Sequence, residues 1–328
     1  MVGEKMLKLK SLLGVLLLLV FCISCSNSES STLPKNDEDN VKATIEDRLN
    51  KLYIEDTTYA GIYNDQAEKV TVVNTYYGQQ ISDYFGIKLM NNEKVNNLFI
   101  SKLEENFISQ EPSRGLYNEE KIVQYLYIHN INLDDTLKEK LINSLNNHFY
   151  KIHEEEVPEQ YRDEETTSIK EQYKMQIYYR NIKIRKMLGE DNLPADMKEI
   201  VLKNYDQNLK ELSEYEFTTI QATYYFYMLK DILGISISDK ERDETIDTLN
   251  TLRTEDGGYT DSSENDKSNG NVFATSLAVE LLNKINSELL SKEANDIEEY
   301  VKSNMPTNVN YDLSLVSELV HIQNILER

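Results

Sequence analysis

Three segments of this chain carry the same short pattern at the same distance from the same kind of stop. Val73-Asn74-Thr75-Tyr76-Tyr77 runs on to Gly86-Ile87, Gln221-Ala222-Thr223-Tyr224-Tyr225 to Gly234-Ile235, and Phe273-Ala274-Thr275-Ser276-Leu277 to Asn286. From Thr to the Gly or Asn is eleven residues each time. The spacing of apolar residues between them is helical, and Gly or Asn at that point fits a left-handed C-terminal cap. A recurring helix of this kind gains a core by stacking on its neighbours. Such helices are expected to start near Val70, Glu119, Thr166, Phe217, Asn271 and Tyr311, a repeat of roughly 50 residues.

More polar helices are expected between them, at 91–109, 133–153, 195–212, 238–253 and 291–304. Proline falls at breaks, at Pro112, Pro158, Pro194 and Pro306. Two helices per step make a helical-hairpin repeat, so the fold class is all-α. Six hairpins stack as an open solenoid or close into a barrel with one helix of each pair inside. The more apolar series, with Met228-Leu229 and Leu277–Leu282, is the inner one. Three turns before helices share a Gly-x-Tyr pattern: Gly61-Ile62-Tyr63, Gly115-Leu116-Tyr117 and Gly257-Gly258-Tyr259.

The N-terminus reads as an export signal. Lys5, Lys8 and Lys10 precede an apolar run over 12–23, too short for a comfortable membrane span. Cys22-Ile23-Ser24-Cys25 resembles a lipobox, with small Ser24 just before the cut and Cys25 as the acceptor of lipid. The expected organisation is a signal peptide at 1–24, a lipidated flexible linker at 25–40 rich in Ser, Asn, Asp and Glu, and a helical domain at 41–328. That places the protein outside the cytoplasm, tethered to the bacterial cell membrane through Cys25. Removing 1–24, with three lysines and one glutamate, takes the net charge from −22 to −24. Such acidity repels phosphate and excludes nucleic acid as a partner. After Cys25 no thiol remains for a disulfide, zinc or nucleophilic catalysis.

Glu255-Asp256-Gly257-Gly258-Tyr259, followed by a polar loop and Asn271-Val272-Phe273-Ala274-Thr275-Ser276-Leu277-Ala278, resembles one repeat of the α/α-toroid superfamily. That superfamily includes protein prenyltransferase β-subunits, squalene and hopene cyclases, and complement-type thioester domains. As architecture the resemblance covers most of the chain; as motif it is good over 253–284, with echoes at 60–87 and 114–131. It implies an α/α toroid of about six hairpins in inner and outer layers. The catalytic motifs of those families are absent: no zinc-holding Cys, no Asp-x-Asp-Asp, no Gly-Cys-Gly-Glu-Gln. Fold alone does not confer function.

Asp256, Gly257, Gly258 and Tyr259 read as a structural turn, the glycines permitting positive φ. The acidic loop 261–270 lacks the glycine and distal Glu of an EF-hand. His148 and His153 are five apart, off the spacing that puts two ligands on one helix face, and no metal or cofactor is expected. Asp134-Asp135 reads as a helix N-cap. The tyrosines of the inner series are the candidate ligand-binding residues: Tyr76, Tyr77, Tyr127, Tyr178, Tyr224 and Tyr225. A tyrosine offers an apolar face and one hydroxyl, suited to sugars, peptides or lipid-like ligands. The expected function is non-catalytic binding of a ligand or an extracytoplasmic partner protein. The alternative is a glycoside hydrolase or polysaccharide lyase, since such enzymes use a similar six-hairpin barrel.

Overall fold

The computed structural model describes residues 38–54, 58–61, 69–70, 72–88, 92–109, 112–113, 115–154, 164–208, 219–261, 267–308 and 311–328. The expected signal segment, Cys25 and most of the expected linker lie outside these residues. The chain from Glu38 onward is one compact unit. Its first helix, α1 (Glu38–Leu52), begins three residues before the expected domain start, so 38–40 belong to a helix instead of the linker. Acidic residues favour a helix N-terminus, which draws the boundary outward. A small antiparallel meander follows: β1 (Tyr53–Ile54), β2 (Thr58–Gly61) and β3 (Lys69–Val70), with Tyr53 opposite Tyr59 and Ala60 opposite Val70. Gly61 is therefore strand, and Ile62 and Tyr63 lie outside the described residues.

The rest is helical. The apolar series is α2 (Val72–Phe85), α4 (Tyr117–Ile128), α6 (Glu164–Met187), α8 (Thr219–Ile232), α10 (Val272–Ile285) and α12 (Leu313–Leu326). Each begins within two residues of its expected start. The alternate series is α3 (Asn92–Glu104, extended by a π-helical turn to Ser109), α5 (Asp135–Glu154), α7 (Ala195–Asn208), α9 (Asp239–Leu252) and α11 (Ser287–Asn304). No described helix is long and apolar enough to cross a membrane.

Packing is cyclic. α2 packs on α4, α4 on α6, α6 on α8, α8 on α10, α10 on α12, and α12 returns to α2. The alternate helices lie against this ring: α3 on α4, α5 and α7 on α6, α9 on α8 and α10, α11 on α10 and α12. Burial follows the same division. On α10 Val272, Ala274, Thr275, Ser276, Ala278, Val279, Leu281, Leu282 and Ile285 are buried, whereas on α9 only Thr245, Leu249 and Leu252 are. A helix touched by two ring neighbours and an outer helix must be apolar around much of its girth; an outer helix needs one stripe. Five inner–outer pairs are complete among the described residues. The sixth inner helix, α12, has no outer helix after it among these residues; Tyr311, just before it, ties this end of the chain to α1, its hydroxyl donating to the Ile45 carbonyl at 3.2 Å.

Caps set the joints. Gly86, Gly189 and Gly234 and also Asn130 end inner helices with positive φ. Asn286 does not take the expected left-handed cap; its φ is −157°. Its side chain accepts from the Leu289 amide and starts α11 at once, so α11 begins at Ser287, four residues earlier than expected. Asp134 caps α5 by accepting from the Leu137 amide at 2.8 Å. The buried Arg185 guanidinium pins α6 to α5, donating to Asn146, Asn181 and Glu190 at 2.6–2.7 Å.

Candidate functional site

A chain of polar contacts runs round the ring and crosses every inner interface. The hydroxyls of Tyr77 and Tyr117 pair, joining α2 to α4. Glu120 of α4 meets two cations of α6, Lys183 Nζ at 2.6 Å and Arg180 Nε at 3.2 Å. Gln176 of α6 donates to the Tyr225 hydroxyl of α8 at 2.7 Å, and the Tyr179 and Tyr224 hydroxyls lie 3.5 Å apart. Tyr224 donates to Glu280 of α10 at 2.9 Å. Ser276 of α10 donates to Glu318 of α12 at 2.6 Å, and His321 Nε2 lies 3.7 Å from Glu280. Ser317 donates to Gln80 at 2.5 Å and closes the circuit to α2.

Helical spacing explains how the residues share one face. Gln176, Tyr179, Arg180 and Lys183 follow the i, i+3, i+4, i+7 stripe of α6. On α12, His321 lies four residues after Ser317 and three after Glu318, so each is within one turn of it, while Ser317 reaches α2 and Glu318 reaches α10. Solvent reaches this layer: the side chains of Lys183, Glu280 and His321 are 26 %, 27 % and 36 % exposed.

The electrostatics fix charge states. Burial raises the Glu120 carboxyl, but Lys183, Lys121 and Arg180 outweigh it and hold it at about 2. Burial works against the Lys121 and Lys183 ammoniums, yet each is held above the usual lysine range. For Lys121 the hydroxyls of Tyr76 and Tyr117 and then Glu120 outweigh burial. For Lys183 it is Glu120, Tyr179 and Glu280. Glu280 is likewise held below the usual carboxyl range, His321 and Lys183 outweighing its burial. Burial pushes Tyr76 and Tyr179 up to about 12 and Tyr224 well above the ordinary phenol, so all three keep their protons at neutral pH.

Lys121 sits among aromatic faces. Its Nζ is 5.1 Å from the Tyr76 ring centroid, 5.8 Å from Tyr77 and 5.6 Å from Tyr117. The Arg180 guanidinium lies 5.1 Å from the Tyr117 ring. Tyr76 is 1 % exposed, and its hydroxyl has no hydrogen-bond partner among the described residues.

No protein-family model matches the chain, and no curated protein matches it in sequence. The functional reading therefore rests on the ring itself.

Of the candidate tyrosines, Tyr76, Tyr77, Tyr224 and Tyr225 join this layer. Tyr178 does not: it is fully buried with its ring 4.7 Å from Phe149 of α5, so it fills the core between inner and outer helices. Tyr127, 61 % exposed near the end of α4, has no ring contact or hydrogen bond to the cluster among the described residues. Both belong to inner helices but face other directions, because a helix turns about 100° per residue. The charged members were not singled out from sequence. Their signal was present: Glu280 between Val279 and Leu281, and Glu318 in Leu315-Val316-Ser317-Glu318-Leu319-Val320, are charges set inside apolar stretches.

The Asp256 turn has a structural geometry. Asp256 accepts from Thr254 Oγ1 at 2.6 Å, the Gly258 amide at 3.2 Å and the Gly270 amide at 2.9 Å. Gly257 has φ +91°. Gly258 does not have positive φ; a Cβ there would lie 2.6 Å from the Tyr300 ring. The Tyr259 amide donates to Thr275 Oγ1 at 2.9 Å, tying the turn to α10. Of the acidic loop, 262–266 lie outside the described residues.

Proposed function

We propose that this protein is a lipid-anchored extracytoplasmic binding protein, built as an α/α toroid that holds a ligand in the tyrosine-lined centre of its ring. The observation that carries the reading is the polar circuit contributed by all six inner helices. A ring stabilised by packing alone has no need of Glu120, Lys121, Arg180, Lys183, Glu280 and Glu318 on its inner helices, since burying charge is unfavourable unless it is paired. Aromatic faces with a few converging hydroxyls and charges, partly open to solvent, are instead the usual lining of a ligand site. The tether reading rests on the Lys-rich start, the apolar run and Ser24-Cys25.

Two measurements test the halves separately. Labelling with a fatty-acid analogue should be lost on Cys25→Ala; persistent labelling rejects the anchor. Tyr224→Phe removes one hydroxyl donor to Glu280 and should lower stability by only about 1 kcal/mol while weakening binding of a hydroxylated aromatic or sugar ligand. Unchanged binding with a large loss of stability assigns Tyr224 to packing.

A glycan-active enzyme is the second reading, favoured by carboxylates on α4, α10 and α12 around one centre. Against it, Glu120 and Glu280 are both held ionised, the opposite of what a glycosidase acid requires.

A further inference from the structure

The cations of the central layer are not equivalently matched. Arg180 and Lys183 both face Glu120. Lys121, next to Glu120 in sequence, lies over the faces of three rings; Glu120 and Glu318 act on its charge from a distance, but among the described residues no acceptor takes a direct hydrogen bond or close ion pair from it. An ammonium has three N–H donors. Ring faces attract its charge but leave those donors without an oxygen acceptor. Beside it is the Tyr76 hydroxyl, buried and without a partner; burying an unsatisfied hydroxyl is unfavourable. One layer thus holds an ammonium without an acceptor and a hydroxyl without a partner. Tyr117, 38 % exposed, forms the outer wall of this corner, and its ring would have to shift for a ligand to reach the buried Tyr76 hydroxyl.

We infer that Lys121 and Tyr76 form the receiving end of a subsite for a small ligand bearing a single carboxylate, with the rings of Tyr77 and Tyr117 against the body of the ligand. This rests on the reading of the ring as a binding site and specifies its ligand class. A carboxylate offers two oxygens and about four acceptor positions, enough to take an N–H from Lys121 and the O–H from Tyr76 together. The charge count selects one negative charge over two. Glu120, Glu280 and Glu318 share the layer with Lys121, Arg180 and Lys183, so its charges balance, and a doubly charged phosphate would leave twice the surplus of negative charge that a carboxylate does. A cationic ligand is disfavoured because Lys121 already occupies the aromatic faces that would receive it.

The test uses the full-length protein in detergent and saturation-transfer NMR with three probes: benzoate, benzyl alcohol and inorganic phosphate. Benzoate and benzyl alcohol share a ring and differ in charge. Benzoate should bind at least tenfold more tightly than benzyl alcohol, and phosphate should not displace it at equal concentration. Lys121→Met should remove that tenfold preference, Lys121→Arg should keep most of it, and Lys292→Met, a substitution at the surface, should change nothing. The comparison of benzoate with benzyl alcohol on the unaltered protein stands even if Lys121→Met fails to fold. Equal binding of benzoate and benzyl alcohol, both weakened by Tyr224→Phe, would overturn the carboxylate subsite and leave the binding ring in place. Displacement of benzoate by phosphate, or an undiminished preference in a folded Lys121→Met protein, would also overturn it. Binding of neither aromatic probe would count against both readings.

Discussion

Glu120 shows how one residue ties stability to the central site. Its ordinary carboxyl value of 4.5 is depressed to about 2 because two cations of α6 and Lys121 surround it. A depressed carboxyl contributes stability that is present above its unfolded value and is lost as pH falls from about 4.5 through 2. With a side chain only 8 % exposed, the full effect is on the order of 3 kcal/mol. Glu120→Gln should therefore flatten the fall in unfolding free energy between pH 4.5 and 2, besides lowering stability at neutral pH by leaving Arg180 and Lys183 unpaired. Urea unfolding across that range measures both; an unchanged acid slope would show that Glu120 is not ionised in this pair. Gly258 makes the complementary point about space. Gly258→Ala places a methyl within the Tyr300 ring contact and should destabilise the fold by about 1–3 kcal/mol, read as a lower denaturation midpoint with unchanged slope.

At the level of elements, each inner helix serves two interfaces and its end decides where the next helix begins. Four inner helices end in a left-handed residue that lets the chain turn before the outer helix starts. The α10–α11 joint has no such residue, and Asn286 ends one helix and caps the next. Asn286→Ala removes the acceptor for the Leu289 amide and should lower stability by about 1 kcal/mol. Hydrogen exchange should then rise first in the opening turn of α11, whereas a uniform rise across the chain would mean that the cap is not what starts this helix.

For the whole molecule, the consequence of cyclic packing is cooperativity. In an open solenoid each hairpin contacts only its neighbours, so losing the last element frays one end. Here α12 packs on both α10 and α2, and Ser317 to Gln80, Tyr84 to Glu327 and Tyr311 to Ile45 join elements from the two ends of the chain. Deleting 313–328 should expose the apolar faces of α2 and α10 together and abolish a single cooperative transition, measured by circular dichroism on thermal or urea unfolding. A shortened protein that keeps a sharp transition would instead indicate solenoid-like independence. The same closure places the polar layer: residues from 76 to 321 meet only because the sixth inner helix returns to the first.

The sequence by itself determined the helices, their order and which series is inner, because periodicity, caps and turn residues are local and act within a few residues of where they stand. The inner starts fell within two residues of the structure for this reason, and Tyr76, Tyr77, Tyr224 and Tyr225 could be picked out by their place in the repeat. The outcome differs where a neighbour decides. Tyr178 and Tyr127 lie on the same inner series yet face Phe149 and solvent, since the direction of a side chain is set by the rotation of its helix against its partners. Whether Asn286 takes a left-handed cap depended on how closely α11 follows. The choice between open stack and ring, and with it the gathering of Glu120, Lys121, Arg180, Lys183, Glu280 and Glu318, came only with the tertiary structure: charges far apart in the chain become one layer when long-range packing brings their helices round a common centre.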